Sequence, residues 1–357
     1  MKVFHCDHCG HLLFFENTHC VRCGQLVAYL PDLALVGSLD QDNDQAGTWR
    51  SPLEAAAGRT YRLCRNYPDE QVCNWAVLAE DSSPLCVSCR LTRVIPDLDK
   101  SEHRQAWYRL EVAKRRLIFT LLQLGLPIVS REEDPDRGLA FEFKGDAANS
   151  GVVLTGHATG VITVNVAEAD DAERERRRTS LHEPYRTLTG HLRHESGHYY
   201  WDRLIKDRGA CEGFREVFGD DRSDYDAALK TYYAEGPRTD WQDEFISAYA
   251  SAHPLEDWAE TWTHYLHMVD TVETAAACGI SLQPRRSDEP SLSRIPAFVV
   301  SPDAPFEQLI DSWFPVTYVL NNLNRGLGLA DAYPFVWSAP AIAKLRYVHE
   351  IVREARP

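Results

Sequence analysis

An α+β chain, mainly helical, with a small cysteine-rich module in front is the fold class that these 357 residues predict. Three observations lead there. Eight of the ten cysteines lie in the first 89 residues, and six of those eight form C-x-x-C pairs. After Pro96 most segments carry apolar residues three or four apart, the period of a helix packed along one face. Within that helical part, Gly190 to Trp201 reads GHLRHESGHYYW and contains the pattern H-E-x-x-H at His194, Glu195 and His198.

The length suits two or three domains with a sizeable core, and the chain is divided here as 1–95 and 96–357. Apolar content of 44% and aromatic content of 10% are those of a globular protein. The net charge of −15 argues against a broad phosphate-binding surface, because nucleic-acid affinity comes largely from Lys and Arg. Residues 1–100 repeat this, with 9 Lys and Arg against 13 Asp and Glu. No apolar run is long enough to span a membrane, and Leu12 to Phe15 is too short for the core of a secretion signal. Clustered cysteines without such a signal point to the cytoplasm, where thiols stay reduced and more often bind metal than pair.

Cys6 and Cys9, then Cys20 and Cys23, form two knuckles with ten residues between the pairs. Joined by a short hairpin they place four thiolates around one zinc, with Gly10 and Gly24 making the tight turn after each pair. His5, His8, His11 and His19 crowd this site, but four thiolates close it. A connector over 31–58 leads to Cys64, Cys73, Cys86 and Cys89. These read as a second four-cysteine zinc site, although only Cys86 and Cys89 have knuckle spacing. The alternative is one C-x-x-C beside two buried thiols. Cys211 and Cys278 stand alone.

Ser101 to Leu124 follows as a helix with Trp107, Leu110, Ala113, Leu117, Leu121 and Leu124 on its apolar face, and Lys114-Arg115-Arg116 is expected on its solvated face. Leu139 to Phe143 alternates and Val161 to Val166 is β-branched, so both are expected as strands, the plain arrangement being a small hairpin. Asp170 to Arg178 reads as a solvent-facing helix. Helices are then expected over 184–206, 213–218, 225–234, 241–252, 254–277, 305–322 and 339–353, with a Pro- and Ser-rich loop over 281–304.

On a helix His194 and His198 leave the same face and can share one ion, while Glu195 can act as a general base on a metal-bound water. Two His do not complete a catalytic zinc site; three protein ligands and an open position are expected. The continuation after His198, YYWDRLIKDRG, offers no further His, so the third ligand must come from farther along the chain. The best candidates lie in HPLEDWAETWTHYLH, residues 253–267, where Pro254 suits a first helical turn and Glu256 and Glu260 share one face. Glu256 is assigned as ligand and Glu260 as the partner fixing a ligand histidine. Asp257 points off that face. Tyr249 or His253, just upstream, is the candidate to hold an oxyanion. The bland alternative is an amphipathic helix with scattered acids.

The stretches CDHCG…CVRCG, RLCRNYPDEQVCNW…CVSCRL, TGHATGVITVNVAEADDAERE, RHESGHYYW, FREVFGD and SAYASAHPLEDWAETWTHYLHMVDTVETA resemble the bacterial zinc-binding metallopeptidases that carry an N-terminal zinc ribbon. The resemblance implies a zincin-like peptidase domain, in which a strand along the cleft edge pairs with extended peptide, and it supplies no substrate. More distantly, E-x-x-A-E after H-E-x-x-H is similar to gluzincins. There the first Glu binds zinc and a Tyr seven residues upstream can hold the oxyanion; Glu256 and Tyr249 match those positions. The expected function is a zinc-dependent peptidase with one catalytic and one or two structural zinc ions, a peptide or protein substrate and a ribbon available for protein docking. The alternative is a DNA- or partner-associated regulatory protein whose peptidase-like domain senses rather than cleaves.

Overall fold

The structure is a computed structural model describing residues 2–146, 153–180, 186–284, 286 and 304–355. The chain opens with β1 (Phe4–His5) and β2 (Leu12–Leu13), an antiparallel pair that flanks the first knuckle. Gly10 and Gly24 adopt φ of +68° and +74°, and their N–H groups bond back to the carbonyls of Cys6 and Cys20 at 2.8 Å. Next come the antiparallel pair β3 (Val27–Leu30) and β4 (Leu35–Ser38). An antiparallel sheet follows, of β5 (Asp40–Gln41), β6 (Trp49–Arg50), β7 (Tyr61–Leu63) and β8 (Ala76–Leu78). Cys64 leaves β7 and Cys73 leads into β8, so adjacent strands bring these two thiols together despite their irregular spacing.

The second sheet crosses from the cysteine-rich part into the helical part. β9 (Thr92–Val94) pairs in parallel with β10 (Ala140–Lys144) across the long helix α1 (Ser101–Gln123). Beyond β10 lie β12 (Val161–Asn165), also parallel, and at the edge the antiparallel β11 (Gly156–Ala158). The two runs expected as strands are therefore parallel neighbours rather than a hairpin. The hairpin partner of β12 is β11, which its sequence GHA scarcely advertises. Its turn, Thr159-Gly160, has φ of +45° and +84°, the double positive of a two-residue hairpin turn matching strand twist.

Helices complete the fold: α2 (Asp171–Ser180), α3 (Leu188–Trp201), α4 (Cys211–Phe218), α5 (Tyr225–Glu235), α6 (Trp241–Glu244), α7 (Pro254–Ala277), α8 (Phe306–Gly326) and α9 (Ala339–Glu354). α7 lies at the centre, with α3, α8 and α9 packed around it. The helix expected over 241–252 is broken. Phe245 is extended, and a short turn over Tyr249–Ala252 is pinned by the Ser247 hydroxyl accepting the Ala250 N–H at 3.1 Å. The loop expected over 281–304 falls mostly outside the described residues, as do the first residues of the helix expected from 184.

The two halves share a core. Phe15, Tyr29 and Trp75 from the cysteine-rich part stack edge-on and tilted around Phe119 of α1, with ring centroids 4.5–6.2 Å apart. The basic run on α1 also points inward, against expectation for two of its three residues. Lys114 is fully buried, 2.8 Å from the equally buried Glu111, and lies over the Phe141 and Phe143 rings of β10. Arg115 is buried with its guanidinium on the Val72 carbonyl. Burial works against that charge, but Cys73, Cys86 and Cys89 with Glu111 outweigh it and raise its pKa. Arg116 alone meets solvent, bonded to Glu16 at 2.7 Å. A helical period marks which face is buried only when that face is apolar; here Glu111 and the neighbouring cysteines stabilise the buried cations. Arg115→Met should lower unfolding stability in urea by about 3–5 kcal/mol, as expected for breaking a buried ionic contact. Arg116→Met should cost less than about 1 kcal/mol.

Candidate metal centre

The motif helix is positioned by its start and by one close approach. Thr187 caps α3, its hydroxyl accepting the Gly190 N–H at 3.0 Å. At Gly197, a Cβ would stand 2.9 Å from Ala259 Cα and 3.3 Å from Trp262 Cβ, so only glycine lets α3 meet α7 this closely. Two tryptophans lock the contact: Trp258 donates to the Gly197 carbonyl at 2.8 Å and Trp262 to the Ser196 hydroxyl at 3.1 Å. α7 starts at Pro254 and buries acids as well as apolar residues.

This packing brings Nε2 of His194 to 3.0 Å from Glu256 Oε2, and Nε2 of His198 to 3.6 Å from Glu256 Oε1. One ligand atom from each of the three residues lies within 4.8 Å of the other two. Glu260 sits one turn on, with Oε1 2.7 Å from His194 Nδ1 and Oε2 accepting the Ser247 hydroxyl at 2.6 Å. Glu256 Oε2 is buried without an aligned hydrogen-bond donor among the described residues. A buried carboxylate that faces two imidazole nitrogens, one from each of its oxygens, suits a divalent cation, and two His plus one Glu is a zinc donor set that leaves a position open. Burial opposes the charge on Glu256, yet His198, His194 and the Tyr225 hydroxyl bring its pKa down to about 2. Burial likewise opposes a charged His194, but Glu256 and Glu260 outweigh it and push its pKa well up.

Glu195 faces the same cleft, which measures about 1010 Å³. His191, one turn earlier on α3, places Nε2 3.6 Å from Glu195 Oε1 and Nδ1 2.6 Å from Glu168 Oε2. Glu168 is buried, which raises its pKa, but His191, Arg186 and Thr155 overcome this and hold it at about 2. Tyr249 lies with its ring 5.9 Å from that of His194, and burial with the nearby Glu256 pushes its pKa upward. His253 does not reach the cleft. It caps α7 instead, Nδ1 accepting the Leu255 N–H at 3.1 Å while Nε2 faces the Ser223 hydroxyl and carbonyl at 2.9 and 3.2 Å. Asp257 points away, as expected, to Lys344 of α9 at 2.6 Å. Burial raises its pKa to about 7 despite that partner.

Several cleft residues escaped the sequence reading. Tyr225 donates to Glu256, and Leu229, Tyr232 and Tyr233 continue its face along α5. That spacing of four, seven and eight residues was a readable helical stripe. His191 and Glu168 gave no comparable signal, because they meet only through α3 packing on the turn after β12. Nor did His157 on β11, whose ring stacks near that of His198 at 6.3 Å and whose pKa burial lowers to about 3.

The cysteines form two further groups, Cys6, Cys9, Cys20 and Cys23, and Cys64, Cys73, Cys86 and Cys89. Sγ–Sγ separations of 3.6 Å for Cys6–Cys23 and Cys9–Cys20, and 3.8 Å for Cys73–Cys86, are close to the tetrahedral edge of about 3.8 Å that a Zn–S bond of about 2.3 Å implies. All four thiols of the second group are buried.

Residues 103–351 match the sequence profile of the family described as "Putative zinc-binding metallo-peptidase". The chain belongs to that family. A zinc-ribbon domain profile matches residues 3–100. Relatives described as uncharacterized proteins, one from Mycobacterium bovis and others from two strains of Mycobacterium tuberculosis, are each 42% identical over 359 residues. Those matches span 100% of this chain and 97% of the relatives. No solved structure matches it significantly. Zinc is thus supported both by the family and by the two four-cysteine groups. No helix among the described residues is long and apolar enough to cross a membrane.

Two outcomes follow from this geometry. Gly197→Ala gains about 1 kcal/mol of helix propensity but must push α3 off α7, so thermal unfolding should show a net loss of about 1–3 kcal/mol. Glu168 has its folded pKa below the usual 4.5, so its contribution is complete above that pH and is lost as pH falls toward 2. That contribution is at most about 3 kcal/mol, and Glu168→Gln should flatten the stability–pH curve in this window, measured by denaturant unfolding.

Proposed function

We propose that this family member is a zinc-dependent metallopeptidase with a zincin-like catalytic domain over 96–357 behind a cysteine-rich module over 1–95. The observation that carries the reading is the convergence of His194, His198 and Glu256, from two helices distant in sequence, beside a carboxylate that is not one of the three, Glu195. These three residues would hold the ion, and Glu260 would orient His194 through its Nδ1–H. Zinc bound there would supply Lewis acidity, acidifying water and polarising a peptide carbonyl. Glu195 takes the proton of the attacking water and returns it to the departing amine. Tyr249, beside His194, donates to the oxygen that gains negative charge. Tyr225 keeps Glu256 ionised and fixed. β11, the antiparallel edge of the sheet, offers backbone groups against which an extended peptide can align.

The cysteine-rich module would hold two structural zinc ions, making three per chain with the catalytic one. Its shared core with α1 favours a structural task over a detached docking arm, while the exposed face remains open to protein partners. Two reduced four-thiol groups suit a cytoplasmic setting.

Glu195→Gln tests the reading. The variant should retain three zinc ions by elemental analysis and lose about 100- to 10,000-fold in cleavage of a peptide library. Undiminished cleavage would exclude Glu195 as the base, and fewer than three ions in the parent protein would remove one of the sites.

A further inference from the structure

His157 occupies an unusual position for a histidine that ligates nothing. It lies on β11, at the sheet edge, and lines the cleft on the His198 side, whereas Tyr249 stands on the His194 side. Its Nε2 accepts the backbone N–H of Gly160 at 3.0 Å. That N–H belongs to the Thr159-Gly160 turn, where a Cβ at residue 160 would stand 2.3 Å from the Arg137 carbonyl, so the turn cannot readily take another residue. A ring nitrogen that accepts a hydrogen bond carries no proton, so in the neutral ring the proton sits on Nδ1. Nδ1 has no hydrogen-bond partner among the described residues and is not sealed off from solvent. The hairpin turn thus sets the tautomer and leaves the other N–H of a cleft-lining ring without a protein partner among the described residues.

We propose that His157 is a substrate-binding residue that donates its Nδ1–H to a backbone carbonyl of the peptide lying along β11. This rests on the peptidase reading above. The donor is neutral and held by its own hairpin, so it serves any peptide regardless of side chain and contributes register rather than sequence preference. The contact exists in the bound peptide before reaction as well as during it. Its loss should therefore raise KM and leave kcat nearly unchanged.

Two substitutions separate the ring's two nitrogens. Gln at 157 can keep an acceptor for the Gly160 N–H but has no donor in the place of Nδ1; Asn offers a donor near the place of Nδ1 but does not reach Gly160. Each variant is compared with the parent protein on the best substrate from the peptide library, and by calorimetric binding of a peptide hydroxamate. Expected are a KM about tenfold higher for His157→Gln at nearly constant kcat, weaker hydroxamate binding, and smaller changes for His157→Asn. Nitrogen NMR of the parent protein should show Nδ1 protonated and Nε2 bare. A His157→Gln variant as active and as tight-binding as the parent, an equal loss in both variants, or a proton on Nε2 would overturn the proposal. A parent protein that neither cleaves the library nor binds the hydroxamate would instead count against the peptidase reading, while the NMR result would still report on the tautomer.

Discussion

The close contact between α3 and α7 is the constraint on which the rest of the site depends. A side chain at Gly197 would strike the Ala259 backbone, and the two tryptophan N–H bonds hold the helices at that spacing. At this distance two imidazoles and one carboxylate face a common point. At a larger one, Glu256 would be a buried acid with only the Tyr225 hydroxyl as partner, a costly state for a carboxylate. The charge of Glu256 is therefore tolerated largely because the helices touch. The tyrosine at 225 and the histidines at 194 and 198 share that burden.

The same economy of buried charge appears at the other end of the molecule. Arg115 sits within the core against three of the four buried cysteines, and the Glu111–Lys114 pair lies between α1 and the sheet. α1 thus connects a four-thiol cluster on one side to the sheet that forms the cleft on the other. The aromatic group around Phe119 makes the same connection without charge. The cysteine-rich part and the helical part thus bury aromatic residues against each other, and the sheet that carries β11 takes its far edge strand, β9, from the cysteine-rich part. The cleft edge and the cysteine-rich part are in this sense one mechanical unit.

Much of the centre was legible in the sequence, for reasons that can be named. His194 and His198 share a face because four residues make about one helical turn, and Glu256 and Glu260 obey the same rule. Both are local consequences of backbone geometry. The knuckles at Cys6–Cys9 and Cys20–Cys23 are local too, since each is closed by its own glycine. His253 shows the limit: proximity in sequence to Glu256 suggested a place in the cleft, but a histidine just before a proline-led helix serves as its cap. The Lys114-Arg115-Arg116 run shows the other limit, because a charge's burial depends on what lies opposite it.

The sequence by itself determined the residue types, their order and their local spacing: two histidines and two acids at helical intervals, and thiols in pairs. Only the tertiary structure decided which elements meet. Cys64 joins Cys73 because β7 and β8 are neighbours; His191 reaches Glu168 because α3 lies over the turn that follows β12. The edge strand at Gly156–Ala158 was decided in the same way, by the hairpin turn after it and by the parallel pairing of β12 with β10. Periodicity reports which face of one element is buried, and it carries no information about the partner across the interface. Those partners set the charge state of Glu256 and the depth of Arg115.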